Sequence, residues 1–172
     1  PKYLTENVIV IVIDGPRYSE TWGDTNHQNI PRLANYLSKS GIVNTQFYNN
    51  GVTKTVPGHS AITTGNYEEI DNSGKESPSY PSFFQYWNAK NRDSTKRSWI
   101  IASKDKLEVL GDCRFGELKD VYKPQTDCGT NGLGTGYRHD SLTFKTVLGV
   151  LQEYQPHLVL VNFREPDYSA HK

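Results

Sequence analysis

Charge of neither sign is in excess: 19 lysines and arginines stand against 19 aspartates and glutamates. That balance leaves no electrostatic footprint for a nucleic-acid polymer or an anionic membrane. No apolar run reaches the ~18–20 residues needed to span a bilayer. The opening PKYLTEN lacks the charged-then-apolar pattern of a secretory signal. It starts on proline rather than methionine, so a preceding segment is expected. Cysteine is scarce. Cys113 and Cys128 lie in the turn-rich GDCRFGELKDVYKPQTDCGTNG. They are either a disulfide formed in an oxidising compartment or two free thiols, and spacing leaves both open. With the abundant Tyr, Asn, Thr and Gly, they suggest an exported protein, periplasmic or extracellular. No CxxC pair or Cys/His cluster marks structural zinc. Neither an internal repeat nor a low-complexity tract is present.

The 172 residues suit one domain. Residues 7–13 (NVIVIVI) form a continuous apolar run of strand length, the pattern of a strand buried on both faces. Asn29 precedes Ile30-Pro31 as an N-cap candidate, and the RLANYLSKSG that follows carries helical spacing up to a stop at Gly41. Residues 42–48 read as a second strand. A helix is predicted from Thr55 or Val56 to about Thr64, closed by Gly65, with Pro57 tolerated in its first turn. Residues 79–92 read as a helix with an aromatic face, and 98–102 (SWIIA) as a short strand. Residues 111–137 read as loop, 139–154 as a helix and 157–163 (HLVLVNF) as a last buried strand. Strands alternating with helices predict an α/β fold, a mainly parallel sheet with helices on both faces. Such a sheet seldom ends just past a strand and its loop, so further chain is expected beyond Lys172, making residues 1–172 the N-terminal portion of a larger domain.

Three polar sites end these apolar segments. Asp14 closes the first strand at IVIDG; it is an ordinary turn residue, or a ligand-binding carboxylate at a strand end, where open α/β sheets gather their ligands. Asp167 and His171 follow the last strand. If they share one helical turn they face the same point, a plausible spacing for two metal ligands; otherwise they are a Pro-Asp turn and an exposed histidine. Thr55 sits where a helix starts. Its hydroxyl is an N-cap, or a nucleophile beside amides that hold an anion. An alcohol is a weak nucleophile near neutral pH, and a divalent metal on its oxygen favours the alkoxide. His59, one turn into that helix, reads as packing or hydrogen bonding. His139-Asp140 reads as a helix start, and the glycines of CGTNGLGTG as a flexible loop without the Lys-Ser/Thr pair of a phosphate loop.

IVIDG, TKTVPGHSAITTG and EPDYSAH, in this order, resemble the alkaline phosphatase superfamily, and most closely its nucleotide pyrophosphatase/phosphodiesterase branch. The resemblance runs from residue 7 to residue 172. It implies a metal-dependent phosphoryl-ester hydrolase working through a covalent phospho-threonine, with two divalent metal ions, zinc by analogy. It places Asp14 and Thr55 on one metal, with Thr55 as nucleophile, and Asp167 and His171 on the second. Asn72, in EEIDNSG, matches a residue that holds a phosphoryl oxygen. The remaining ligands of that family, an Asp-His pair and another His, are expected beyond Lys172. Threonine in place of the modified cysteine of a C-x-P-x-R context argues against a sulfatase. The substrate is a small phosphoryl ester. A phosphomonoesterase, a phosphonate hydrolase or a non-catalytic domain that binds a phosphoryl ligand remain alternatives, and the oligomeric state is open.

Overall fold

The structure is a computed structural model that describes residues 4–91 and 97–172. Among the described residues four strands form one sheet: β1 (Val8–Ile13), β2 (Ser98–Ala102), β3 (Gln125–Cys128) and β4 (Leu158–Phe163). Their spatial order is β1-β4-β2-β3 and every neighbouring pair is parallel. Val10 and Ile100 both lie opposite Leu160, so the first and last predicted strands pair directly. The α/β architecture expected from the alternating pattern is present.

Side chains of successive strand residues leave on opposite faces. Ile100, Ala102, Leu158 and Leu160 therefore share one face, where they pack with Phe84, Leu107 and Leu110. Ile101, Val159 and Val161 take the other, against Val147 and Val150. Phe84 belongs to α3 (Phe83–Lys90), and Val147 and Val150 to α4 (Asp140–Tyr154), so helices cover both faces of the central strands. α2 (Thr55–Thr64) begins at the predicted threonine and ends on Gly65, whose φ of 73° is the left-handed conformation that glycine adopts freely. Among the described residues, no helix is long and apolar enough to cross a membrane.

Several expectations are corrected. Residues 42–48 are exposed loop rather than strand. A β-branched segment becomes a strand only by pairing with a sheet edge, and among the described residues the sheet ends at β1 with no further strand beside it. β1 is accordingly not buried on both faces: Val10 and Val12 pack inward, while Ile11 stays 59% exposed. The helix after Asn29 breaks into α1 (Pro31–Asn35) and a 3₁₀ turn at Leu37–Ser40. Asn29 does not cap it; its side chain donates to Glu20 O at 2.9 Å. The helix placed at 79–92 is α3 alone, and Arg92 lies outside the described residues. Residues 111–137 hold β3, whose polar QTDC carries no apolar alternation. The glycine-rich turn after it is pinned, with Gly134 N and Gly136 N donating to Asp105 Oδ2 at 2.9 and 3.0 Å. Those amides thus serve a carboxylate of the chain itself. Cys113 and Cys128 are both buried free thiols, and burial pushes both thiols above their ordinary pKa, Cys128 the further.

Candidate functional site

Parallel strands all finish on the same side of a sheet, so residues just past their ends meet along one rim. Asp14 follows β1, Lys104 follows β2 and Asp167 follows β4, where it opens the one-turn helix α5 (Asp167–Ala170). Thr55 comes to the same rim at the start of α2. All four side chains line a cavity of about 420 Å³, shared with Asn72, Lys106, Tyr137 and His171. Every residue singled out from the sequence as a site residue is therefore in one place.

The centre of the rim is a residue the sequence reading did not select. Lys104 is 2% exposed, and its Nζ stands 2.6 Å from Asp14 Oδ2 and 2.6 Å from Asp167 Oδ2. It also donates a hydrogen bond to Thr55 Oγ1 at 3.1 Å. Burial works against its charge, but the two carboxylates more than reverse that, so its pKa is raised above the ordinary lysine value. For Asp167 burial acts upward, and the Lys104 ammonium together with His171 outweighs it, holding the carboxyl below its usual range. His171 Nε2 lies 3.4 Å from Asp167 Oδ1: the two share one helical turn, and the histidine is at the same time exposed. A signal for Lys104 was present: SWIIA runs straight into SKDK, the same apolar-run-then-charge pattern that marked Asp14.

Thr55 does not cap α2. Lys54 occupies the N-cap position without a side-chain bond, and Thr55 is the first helical residue. The helix start is held by Asn72, whose Oδ1 accepts from Val56 N at 2.9 Å. Asn72 also lines the cavity. His59 is buried behind Thr55; its Nδ1 bonds Thr55 O at 2.8 Å and its Nε2 faces Asn162 Nδ2 at 3.2 Å. A donor amide at Nε2 and an acceptor carbonyl at Nδ1 select the Nδ1–H tautomer. Burial lowers the pKa of His59, so the ring stays neutral and serves as packing and a hydrogen-bond relay to the backbone of Thr55. His139 is the N-cap of α4, accepting from Ser141 N at 3.3 Å.

Asp14 and Asp167 are also tied through the backbone. Asp167 N donates to Asp14 O at 3.0 Å. Gly15 makes room for this: its φ is 72°, and a Cβ there would lie 2.7 Å from Asp167 Cβ. Lys106, two residues beyond Lys104, lines the cavity 5.9 Å from the Tyr137 ring centre, and no carboxylate pairs with it among the described ion pairs. Burial, reinforced by the charge of Lys104, pushes its pKa down.

The donors fit divalent cations in kind. Two carboxylates, a hydroxyl and an imidazole line one cavity, and the buried Asp14 Oδ2 has the Lys104 ammonium as its ion-pair partner. The Lys104 ammonium already shows that this point favours positive charge. Among the described residues no three of His, Cys, Asp and Glu group as a ready metal site, so the chain offers Asp14 with Thr55, and Asp167 with His171. Comparison with protein-family models, curated proteins and solved structures found no match.

Proposed function

We propose that this chain carries the site of a metal-dependent phosphoryl-ester hydrolase, of phosphodiesterase or nucleotide-pyrophosphatase type, that works through a covalent phospho-threonine at Thr55. The observation that carries this reading is the meeting of the Thr55 hydroxyl with Asp14, Lys104 and Asp167 at the carboxyl rim of a parallel sheet. The resemblance of the three sequence motifs to the alkaline phosphatase superfamily points the same way.

Thr55 Oγ attacks phosphorus, the bond to the leaving oxygen breaks, and the hydroxyl proton ends on the departing alcohol; water then cleaves the bond between Thr55 Oγ and phosphorus, releasing a monoester from a diester or phosphate from a monoester. The ammonium of Lys104, hydrogen-bonded to Thr55 Oγ1, favours the oxyanion over the neutral hydroxyl. In the first turn of α2, Val56 N is taken by Asn72, Pro57 has no N–H and Gly58 N bonds Lys54 O, so the Thr55 amide and the Asn72 side chain are the donors there for a phosphoryl oxygen. Asp14 and Thr55 would hold one divalent ion, and Asp167 and His171 a second. When bound, such ions supply positive charge for the attacking and leaving oxygens and for a water nucleophile. Zinc suits the mixed oxygen and nitrogen donors, although catalytic zinc ordinarily takes three protein ligands.

A specific observation favours the phosphomonoesterase alternative. Lys104 and Lys106 both line the cavity, and Lys106 has no carboxylate partner among the described ion pairs. A half-buried cation outside the described ion pairs suits a doubly charged phosphoryl group better than the single charge of a diester. A non-catalytic phosphoryl-binding domain would keep these cations but has no use for the hydroxyl.

The test is turnover of p-nitrophenyl phosphate and bis-p-nitrophenyl phosphate by the wild type and by Thr55→Ala, with metal content measured in both. Loss of turnover is expected with the ion at Asp167 and His171 retained, and the ratio of the two substrates separates monoesterase from diesterase. Equal turnover in the variant overturns the nucleophile. Phosphate binding without turnover in the wild type favours the binding domain.

A further inference from the structure

Asp140 opens α4, outside the cavity. A carboxylate in the first turn of a helix has a routine role against the helix dipole. Its partners are not those of that role. Asp140 Oδ1 accepts from Ser103 Oγ at 2.5 Å and from Arg164 N at 2.9 Å, and Oδ2 accepts from Glu165 N at 3.1 Å. Ser103 is the residue before Lys104, and Glu165 is separated from Asp167 by Pro166 alone. One carboxylate thus clasps the turn after β2 to the turn after β4, and these two turns deliver the ammonium and the carboxylate that meet at 2.6 Å.

The clasp is rigid for physical reasons. Ser103 is fully buried, its hydroxyl also shares a hydrogen bond with Thr143 Oγ1 at 2.6 Å, and Thr143 Oγ1 accepts from Arg138 Nε at 2.9 Å. Ser103 N donates to Asn162 O at 2.9 Å, which sets the depth of the first turn against β4. Nothing in that backbone pairing reaches past Phe163, where β4 ends. Between there and Asp167, Asp140 holds the turn at two successive amides. Hydrogen bonds to an ionised acceptor are the stronger kind, and three on one carboxylate leave little freedom.

We propose that Asp140 is a positioning residue: acting from α4, it sets the separation between Lys104 and Asp167 across the site. Its consequence for turnover rests on the phosphoryl-transfer reading; the positioning itself does not.

The test is the nitrogen-15 and proton signal of the Lys104 ammonium in the full chain, assigned by its disappearance in Lys104→Met. In the wild type the buried, doubly paired ammonium exchanges its protons slowly with water. Asp140→Asn keeps the shape but turns one acceptor into a donor that faces a backbone N–H. Exchange of the Lys104 protons is expected to quicken about tenfold, as the loss of a charge-assisted hydrogen bond implies. Ser103→Ala removes one of the three donors and is expected to quicken exchange about threefold; it carries the test if Asp140→Asn does not fold. Unchanged exchange in the folded variants overturns the proposal. Faster exchange in a protein whose turnover is indifferent to Thr55→Ala upholds the positioning and removes the hydrolase reading. Turnover lost with Thr55→Ala but exchange unchanged by Asp140→Asn and Ser103→Ala retains the hydrolase and removes the positioning.

Discussion

Nζ of Lys104 stands 2.6 Å from Oδ2 of Asp167, a residue 63 positions further along the chain. The same ammonium touches Asp14, so two carboxylates from opposite ends of the sequence share one lysine cation. Two like charges sharing a site repel unless a cation lies between them.

Replacing Lys104 with Met removes that cation. Breaking a buried ion pair costs about 3–5 kcal/mol when the surviving charge has no other partner. Asp14 and Asp167 each keep some solvent, so the expected loss is at the lower end, ~3 kcal/mol, read from urea unfolding. The two carboxylates then seek another cation. Zinc is expected to raise the melting temperature of Lys104→Met more than that of the wild type, and an equal rise would show that Lys104 does not compete with bound cations.

Gly15→Ala attacks the backbone side of the same contact. The left-handed φ alone costs a β-carbon of order 1–3 kcal/mol. The added carbon would also meet Asp167 Cβ at 2.7 Å and Cα at 2.8 Å, so α5 has to shift. Gly15→Asn separates the two effects: asparagine tolerates the φ better but carries the same carbon. Both variants are expected to unfold at lower urea than the wild type, with the Lys104 and Asp167 side chains no longer in contact by crystallography. A Gly15→Asn variant as stable as the wild type would place the whole cost in the φ angle.

Acid should destabilise the fold well before the carboxylates titrate. His59 is 3% exposed and its pKa is depressed by burial, so the folded state resists the proton that the unfolded chain takes up below about 6.5. The unfolded state then binds more protons, and stability falls as pH falls from about 6.5 toward the depressed folded value. The slope from this one group reaches at most ~1.4 kcal/mol per pH unit. Urea midpoints between pH 7.5 and 5 measure it, and His59→Gln should flatten the curve over that interval.

Much of the site was legible along the chain because its residues end strongly patterned segments. Asp14 closes an unbroken apolar strand, Thr55 opens a helix whose stop at Gly65 is plain, and Asp167 and His171 are spaced by one helical turn. Lys104 follows a strand as openly as Asp14 does, yet a lysine after a strand ordinarily belongs to the solvated surface. It is buried here only because β2 lies beside β4, a pairing that no local pattern encodes. Asp140 was visible as a helix start and nothing more, since its three partners come from segments 24 to 37 residues away.

Residues 42–48 mark the opposite case, where strand chemistry without an adjacent edge stayed loop. Apolar runs, helical periodicity and glycine stops set where most of the helices and strands lie, because those signals act over a few residues through sterics and backbone hydrogen bonding. Which strands are neighbours, which charges are buried and which hydroxyl faces an ammonium were left to the packed chain. These depend on contacts between distant segments, and burial has meaning only after both faces of the sheet have been covered.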